Sequence, residues 1–479
     1  MIDRLYQAYL RSHTVTTDSR AITPGCLFFA FKGERFDGNA FVPKALEQGA
    51  ALCVISDKKY KADDRCIVVP DVLATLQELA REHRRHLQIP VIGITGTNGK
   101  TTTKELVHAV LSKRYKTSAT KGNFNNHLGV PLTLLSIPAD TEIAIVEMGA
   151  NHPGEIAFLC GIADPDCGLI TNVGRAHLEG FGSFEGVIQT KTELYRHLAV
   201  KEGTVFVNAD NPILMEQAAS LATQPKQYTT PIISDLHAYT ETHTCPRAYG
   251  LWEKMLSMVT YGTDASAMTR GTLVQTSRLQ DFKTSSNPYL QFYFEVGDNV
   301  YNVHTHLLGA YNFDNCMAAV AVGLHFGVEP WDIKEAIEAY VPSNQRSEYK
   351  ETARGNRLYL DCYNANPSSM AAAIASYSSN QAIKQSSNQM MAVIGGMHEL
   401  GAAEREEHGK VVEQLAACGL DRVLLVGPEW EALPHPDNMQ LFNDTEAVHT
   451  YLLEHPVSGA TILIKGSNTN RLWTLEELL

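Results

Sequence analysis

Residues 93–102 read GITGTNGKTT, a glycine-rich turn followed directly by a lysine and two threonines. The turn lies between a compact β-branched segment, VIGIT at 91–95, and a helical pattern with apolar positions Leu106, Val107, Val110 and Leu111. Strand, loop and helix in that order suit a phosphate. Backbone N–H groups at a helix start point at the anion, the helix dipole favours it, and glycines let the backbone approach closely. Gly96, Thr97, Asn98, Gly99, Lys100, Thr101 and Thr102 are the expected cradle, with Lys100 reaching the β/γ-phosphates of a nucleotide and Thr101 ligating Mg²⁺. Ile94 stands where the strict phosphate-loop pattern has glycine, so the context rather than the pattern carries the reading.

A nucleotide-bound Mg²⁺ usually needs a carboxylate from a neighbouring strand end. Glu147 closes the apolar run IAIVE, where a carboxylate is costly unless it is paired or metal-bound; a solvent-facing strand end is the alternative. His177, in GRAHLEGFGS, is a candidate ligand or a structural loop histidine. Lys191, in TKTELY, lies on an amphipathic helix, where a lysine ordinarily belongs to the solvated face.

The elements around these residues form an alternation. IAIV (143–146), GLIT (168–171) and TVFVN (204–208) read as short buried strands with helical stretches between several of them, which implies a mostly parallel sheet covered on both faces. LQFYFEV, GDN and VYNVHTH, within 289–306, predict a β-hairpin. Upstream, CLFFAF (26–31), ALCVI (51–55) and a helix with Leu76, Leu79, Ala80 and Leu87 predict a small α/β unit. Downstream of Pro342, RLYLD (357–361), MAVIG (391–395), RVLLVG (422–427) and TILIKG (461–466) predict another. The polar stretch 378–389 reads as an exposed loop, and 228–286 gives no clear pattern.

A chain of 479 residues exceeds one ordinary core. Two or three domains are expected, and the α/β units read along the chain divide it at 1–88, 89–343 with a mostly parallel sheet, and 344–479. The net charge of −13 argues against nonspecific binding to nucleic acid or anionic membrane. No apolar run approaches the length of a membrane span and the first residues do not resemble a secretory leader, so a cytoplasmic location and no membrane insertion are expected. Nine scattered cysteines without a CxxC pair are expected to be reduced thiols.

GTNGKTT, EMGANHPGEI, NVGRAHLEGFGS and TKTELY, in this order, resemble the Mur ligase superfamily, whose central domain binds ATP. DCYNANPSSM (361–370), KGNFNNHLGVPLTLL (121–135) and KGERFDGNAF (32–41) resemble the branch that joins D-alanyl-D-alanine to a UDP-N-acetylmuramoyl-tripeptide. The similarity covers all but about 228–286. It implies three α/β domains: a small N-terminal one for the UDP-sugar at 1–88, a central phosphate-loop ATPase at 89–343 and a C-terminal Rossmann-like domain at 344–479 that closes over the nucleotide. It further implies that Lys100, Glu147, His177 and Lys191 are catalytic, that Glu147 and His177 ligate two Mg²⁺ ions with Thr101, and that Lys191 does so as a CO₂-derived carbamate. Asn312 would lie beside adenine, Arg346 and Asp361 beside phosphate and ribose. Ser19, Arg20, Lys32, Gly33, Phe36, Asp37 and Gly38 would form the UDP-sugar pocket, with Asn125 and Asn126 near the sugar peptide.

FDG could equally be a plain turn and NANP a tight loop. Asn39 stands where that branch commonly has histidine, and GGM at 395–397 where it commonly has GDM. The implied reaction passes through an acyl phosphate, with a monomer acting on the two substrates. A sister ligase adding a single amino acid would share the ATP motifs, although NANP replaces the arginine-bearing DNPR loop of the diamino-acid ligase. A phosphate-loop kinase or NTPase would need only 91–210 and leave the flanks without purpose. A non-enzymatic nucleotide-binding scaffold would need none of the four catalytic candidates.

Overall fold

The computed structural model describes residues 1–479 except 35, 224–255, 275–287, 344–345 and 381–388. Three sheets follow one another along the chain. In the first, β1 (Val15–Thr16), β2 (Leu27–Phe29), β3 (Leu52–Ile55) and β4 (Cys66–Val68) run parallel in sequential order.

The second sheet holds β5 (Val91–Thr95), β6 (Thr117–Ala119), β7 (Ile143–Glu147), β8 (Cys167–Ile170), β9 (Thr204–Asn208), β10 (Ser257–Gly262), β11 (Thr269–Leu273), β12 (Tyr289–Val296) and β13 (Asn299–Leu308). Their order is β13-β12-β11-β10-β9-β8-β5-β7-β6. β5, β7 and β8 are buried along their whole length, as strands of a parallel sheet covered on both faces must be. After β5 the chain fills one side with β6 and β7 and then crosses to β8 and β9 on the other. The end of β5 is therefore a topological switch point, where an open α/β sheet leaves a crevice beyond its strand ends. β12 and β13 form the expected antiparallel hairpin at one edge.

The third sheet contains β14 (Glu348–Glu351), β15 (Arg357–Asp361), β16 (Gln389–Gly395), β17 (Arg422–Val426), β18 (Met439–Phe442) and β19 (Ala460–Lys465), ordered β14-β15-β19-β16-β17-β18. Only β14 is antiparallel to its neighbour.

One apolar core joins the first sheet to the second: Leu27, Phe29 and Val54 share it with Leu76 and Leu79 of the helix Val72–His86 and with Leu134 and Ile156. Arg84 of that helix fastens the junction, donating to Ala163 O (2.9 Å), Asp164 O (2.8 Å) and Asp166 Oδ2 (2.8 Å). The opposite face of the second sheet buries Leu106, Val107, Val110 and Leu111 of the helix Lys100–Leu111 against Ile92, Ile94 and the helix Asn312–His325. Leu308 at the end of β13 packs into the core of the third sheet with Tyr359 and Tyr377.

The stretch 378–389 differs from the expected loop at both ends. The helix Pro367–Ser379 continues past residue 378 because Met370, Ile374 and Tyr377 keep one face buried, and Gln389 already belongs to β16; residues 381–388 lie outside the described residues. β10 and β11 fall in the stretch that gave no pattern, part of which is also outside the described residues. The eight described cysteines are free thiols, and Cys245 lies outside them. No described helix is long and apolar enough to cross a membrane.

Candidate active site

At the switch point β5 runs out at Thr95 into Gly96, whose φ is +142°, and Gly99, whose φ is +77°. A side chain at Gly96 would overlap Thr171 Oγ1, and one at Gly99 would come within 2.5 Å of Asn315 Oδ1, so both positions require glycine for space as well as for backbone. The loop is pinned to the chain after β8: the Thr97 N–H donates to Asn172 O (3.0 Å) and the Asn98 N–H to Asn172 Oδ1 (3.0 Å). Thr171 Oγ1 donates to Asn98 O (2.6 Å). Lys100 opens the helix and its Nζ donates to Gly96 O (2.7 Å) and Thr97 O (3.0 Å). Burial pushes its pKa down to about 8 against the opposing pull of Glu147, with Arg346 adding to the fall, so the ammonium form dominates at neutral pH.

Glu147 closes β7 one strand away and is 1% exposed. Its Oε1 accepts from Asn125 Nδ2 (2.8 Å) and Thr101 Oγ1 (3.3 Å), whereas Oε2 is buried with no hydrogen-bond partner among the described residues. A carboxylate oxygen held dry and unpaired beside a threonine hydroxyl at a phosphate loop fits a divalent cation. Among the described residues no three His, Cys, Asp or Glu side chains gather into a metal cage. Mg²⁺ bound with a nucleotide typically takes one or two carboxylates plus substrate phosphates and water.

His177 precedes the short helix Leu178–Phe181 in a left-handed conformation, φ 50°, and its Nδ1 is hydrogen-bonded to Glu399 of the third unit. Burial pushes its pKa down against the opposing pull of Glu399. Lys191 ends the helix Phe184–Lys191 and is 2% exposed, so the solvated-face alternative for this lysine is corrected. The packing of that helix against Phe181 and the chain after β7 turns it inward: Nζ donates to Ala150 O (3.2 Å) and lies 5.3 Å from the Phe181 ring centre. Desolvation first, and the charge of Lys100 second, push its pKa down to about 7.

The third unit closes the site. A cavity of about 610 Å³ is lined by Lys100, Thr101, Glu147 and His177 on one side and Arg346, Asp361 and Lys465 on the other, with Asn312 between. Asn366 Nδ2 donates to Asn98 Oδ1 (2.8 Å), and the Arg175 N–H donates to Ser368 Oγ (2.8 Å). The Arg346 guanidinium lies 3.7 Å from the Tyr363 ring centre, and buried Lys465 pairs with Asp361 (2.9 Å). Asn312 donates to Leu308 O (2.7 Å) and accepts from Asn315 (2.7 Å). Thr97, Asn98, Gly99, Thr102, Asn125 and Asn126 also line the cavity, and Lys191 reaches its wall through Ala150. Sequence reasoning missed Asn172, Ser368, Tyr363, Lys465 and Glu399. Asn172, Tyr363 and Ser368 lie inside motifs of the sequence and Lys465 closes a wholly buried strand as Glu147 does, so each carried a signal; Glu399 did not.

Ser19, Arg20, Lys32, Gly33, Phe36, Asp37 and Gly38 do not line this cavity and belong to the first unit. The backbones of Lys32 and Asp37 pair as an isolated antiparallel bridge, the Gly33 N–H donates to Phe36 O (2.8 Å), and the exposed Phe36 stacks on Phe41 (5.7 Å). Arg20 lies exposed and pairs with Asp18 (2.7 Å). Asn126 spends its side chain on the Leu128 and Gly129 N–H groups. Asn39 is fully buried, donating to Asp37 Oδ1 (2.7 Å) and accepting from the Ser56 N–H (3.0 Å), so it braces the loop from within. A side chain at Gly396 would run into the Glu429 carboxylate, which fills the space that an aspartate there would use.

A phosphate loop at a switch point, a dry carboxylate beside it and a second α/β unit as a roof define a nucleotide-using enzyme of three α/β units. The chain belongs to the Mur ligase family, whose models match it as the Mur ligase family catalytic domain at 11–89, the middle domain at 94–244 and the glutamate ligase domain at 345–468. It is similar to the UDP-N-acetylmuramoyl-tripeptide--D-alanyl-D-alanine ligase of Bacillus subtilis (strain 168), 33% identical with 96% of this chain and 91% of the relative covered. The ligase of the same name from Escherichia coli (strain K12) is 32% identical, with 95% and 91% covered. Among solved structures, MurF ligase from Thermotoga maritima in complex with ADP matches with a TM-score of 0.77 at 27% identity, covering 97% of this chain and 96% of that one. MurF from Acinetobacter baumannii matches with a TM-score of 0.76 at 28% identity, covering 96% and 92%.

Proposed function

We propose that this enzyme joins D-alanyl-D-alanine to the UDP-N-acetylmuramoyl-tripeptide at the expense of ATP, in cytoplasmic peptidoglycan precursor synthesis. The observation that carries the reading is the single cavity in which Lys100, Thr101 and the unpaired oxygen of Glu147 face Arg346 and Asp361 of the third unit. One sheet in each of 1–88, 89–343 and 344–479 supports that division into domains for UDP-sugar, ATP and closure.

A carboxylate is a poor electrophile and must be activated. An oxygen of the tripeptide's terminal carboxylate attacks the γ-phosphorus of ATP, the bond to the bridging oxygen breaks, and ADP leaves. The dipeptide amine attacks the resulting acyl phosphate carbon, sheds a proton, and the tetrahedral intermediate expels phosphate to give the amide. The chain contributes position and charge. The loop's N–H groups and Lys100 hold the phosphates, Asn312 the adenine side, and Arg346 and Asp361 the phosphate and ribose from above. Thr101, Glu147, His177 and Lys191 would hold magnesium, which when bound neutralises the transferring phosphoryl group.

Lys191 is the donor whose chemistry must change for this role, since an ammonium repels a cation. With its pKa lowered to about 7, much of it is a neutral amine at physiological pH, the form that takes up CO₂ to give an anionic carbamate with hard oxygen donors. The exposed Phe36–Phe41 pair with Lys32 supports a pocket in the first unit for the UDP-sugar, formed with Ser19, Arg20, Gly33, Asp37 and Gly38.

Phosphate release from ATP in the presence of UDP-muramoyl-tripeptide tests the assignment directly. Turnover is expected with D-alanyl-D-alanine and not with meso-diaminopimelate, L-lysine or D-glutamate; turnover with one of these single amino acids and not the dipeptide would move the chain to a sister ligase.

A further inference from the structure

The segment 395–401, GGMHELG, reaches from the third unit to the rim of the cavity, and its fixation is unusual. Met397 is fully buried and its N–H donates to His408 Nε2 (3.0 Å). His398 Nε2 is bonded to Thr469 Oγ1 (2.8 Å) and its Nδ1 lies 3.5 Å from Glu429. Leu400 is buried on the other flank. Between these anchors only Glu399 reaches across to the second unit, where its carboxylate meets His177 Nδ1 and its carbonyl accepts from the Glu179 N–H (3.4 Å). Both partners are non-glycine residues in the left-handed region, Glu399 at φ 61° and His177 at φ 50°. Such backbone persists where the surroundings over-determine it, and two instances face to face across a unit boundary mark a constructed contact.

The geometry points to Glu399 as a positioning residue for His177, an inference that rests on the reading of His177 as a magnesium ligand. A carboxylate accepts only, so its hydrogen bond with Nδ1 places the imidazole proton there and leaves Nε2 as a lone pair on a side chain that lines the cavity. The ring is then oriented by a residue 222 positions away, in a unit that must be docked for the bond to exist. Docking of the third unit and orientation of this candidate metal ligand are thereby coupled through one contact, which is present in the protein without nucleotide.

The test uses the full-length protein without ATP. Imidazole ¹⁵N spectra, with the His177 signals assigned by their loss in His177→Ala, are expected to show the Nδ1–H tautomer in the wild type and a tautomer mixture in Glu399→Asn, which keeps the left-handed backbone but is shorter and neutral. Mn²⁺ binding followed by electron paramagnetic resonance is expected to weaken about tenfold in Glu399→Asn and less in Glu399→Gln, which retains an acceptor at full length. An Nε2–H tautomer in the wild type, or Mn²⁺ binding unchanged by Glu399→Asn while His177→Ala weakens it, overturns the positioning role. Mn²⁺ binding unchanged in His177→Ala instead removes the ligand reading on which it rests.

Discussion

The carbamate proposed on Lys191 makes a prediction that an ordinary lysine cannot meet. A lysine with its usual pKa near 10.5 has about one amine in a thousand uncharged at pH 7.5, whereas a pKa of about 7 leaves roughly three-quarters uncharged. That is a gain of nearly a thousandfold in the form that reacts with CO₂, and it comes from removing the ammonium from water behind Phe181 and Ala150 with Lys100 nearby. Carbamate formation releases one proton from a neutral amine and two from an ammonium. At fixed dissolved CO₂, the logarithm of the modified-to-unmodified ratio therefore rises with a slope of about two per pH unit below the lysine's pKa and about one above it. The break is expected near pH 7 in this protein, against the ordinary lysine's 10.5. Carbon-13 spectra of the intact enzyme under ¹³CO₂ measure the ratio. Lys191→Arg, which stays charged and cannot be carbamylated, should abolish ligation, and Lys191→Ala should be rescued in part by short carboxylic acids. A slope of two that persists to pH 9, or full ligase activity in Lys191→Ala without rescue, would refute the reasoning.

Three further substitutions probe other parts of the argument. Gly99→Ala forces a side chain into a left-handed position at about 1–2 kcal/mol and displaces Asn315 from its buried bonds to Thr103 and Asn312, at a further 1–3 kcal/mol or so. Felt in full at the nucleotide, about 2–5 kcal/mol lowers the ATP affinity measured by calorimetry by about 30- to 5,000-fold, and unchanged binding would mean the loop relaxes freely. Gly396→Asp introduces a second carboxylate where Glu429 already sits; unfolding of the third unit should move to lower temperature by the equivalent of about 1–3 kcal/mol and recover in the double variant with Glu429→Ala. Equal melting of wild type and Gly396→Asp would show that the space is not contested. His83, on the buried face of the helix Val72–His86 and hydrogen-bonded through Nε2 to the Tyr9 hydroxyl (3.2 Å), has its pKa pushed from 6.5 to about 4 by desolvation. Because the unfolded chain binds the proton more tightly, stability is lost as pH falls from 6.5 towards 4, by about 2 kcal/mol at pH 5. Thermal unfolding of His83→Gln should lack that part of the acid dependence, and an unaltered pH profile would exclude His83 as its source.

How much of this site could be read in advance depends on how far apart its parts lie along the chain. The phosphate loop is one contiguous run whose strand, glycines and helix are all local, so β5 and the helix Lys100–Leu111 appear where the pattern puts them despite Ile94. Glu147 could be singled out because a charge ending a wholly apolar strand contradicts its surroundings, and that contradiction survives as an oxygen with no partner. β6 and β14 were invisible because edge strands are short and bury little, so TSA and EYKE carry no apolar alternation. Lys191 shows the opposite failure. Its neighbours spell an ordinary amphipathic helix, and only the packing of that helix against Phe181 decides that the lysine faces inward, a fact spread over two segments. The roof lies furthest from sequence reasoning: Asn98 and Asn366 are 268 residues apart, and neither asparagine signals an interest in the other. What the chain does encode locally there is rigidity, in the buried Met397 and Leu400 on either side of Glu399. A polar residue held between such anchors in a left-handed backbone is where a contact across units should be sought when the sequence itself names no partner.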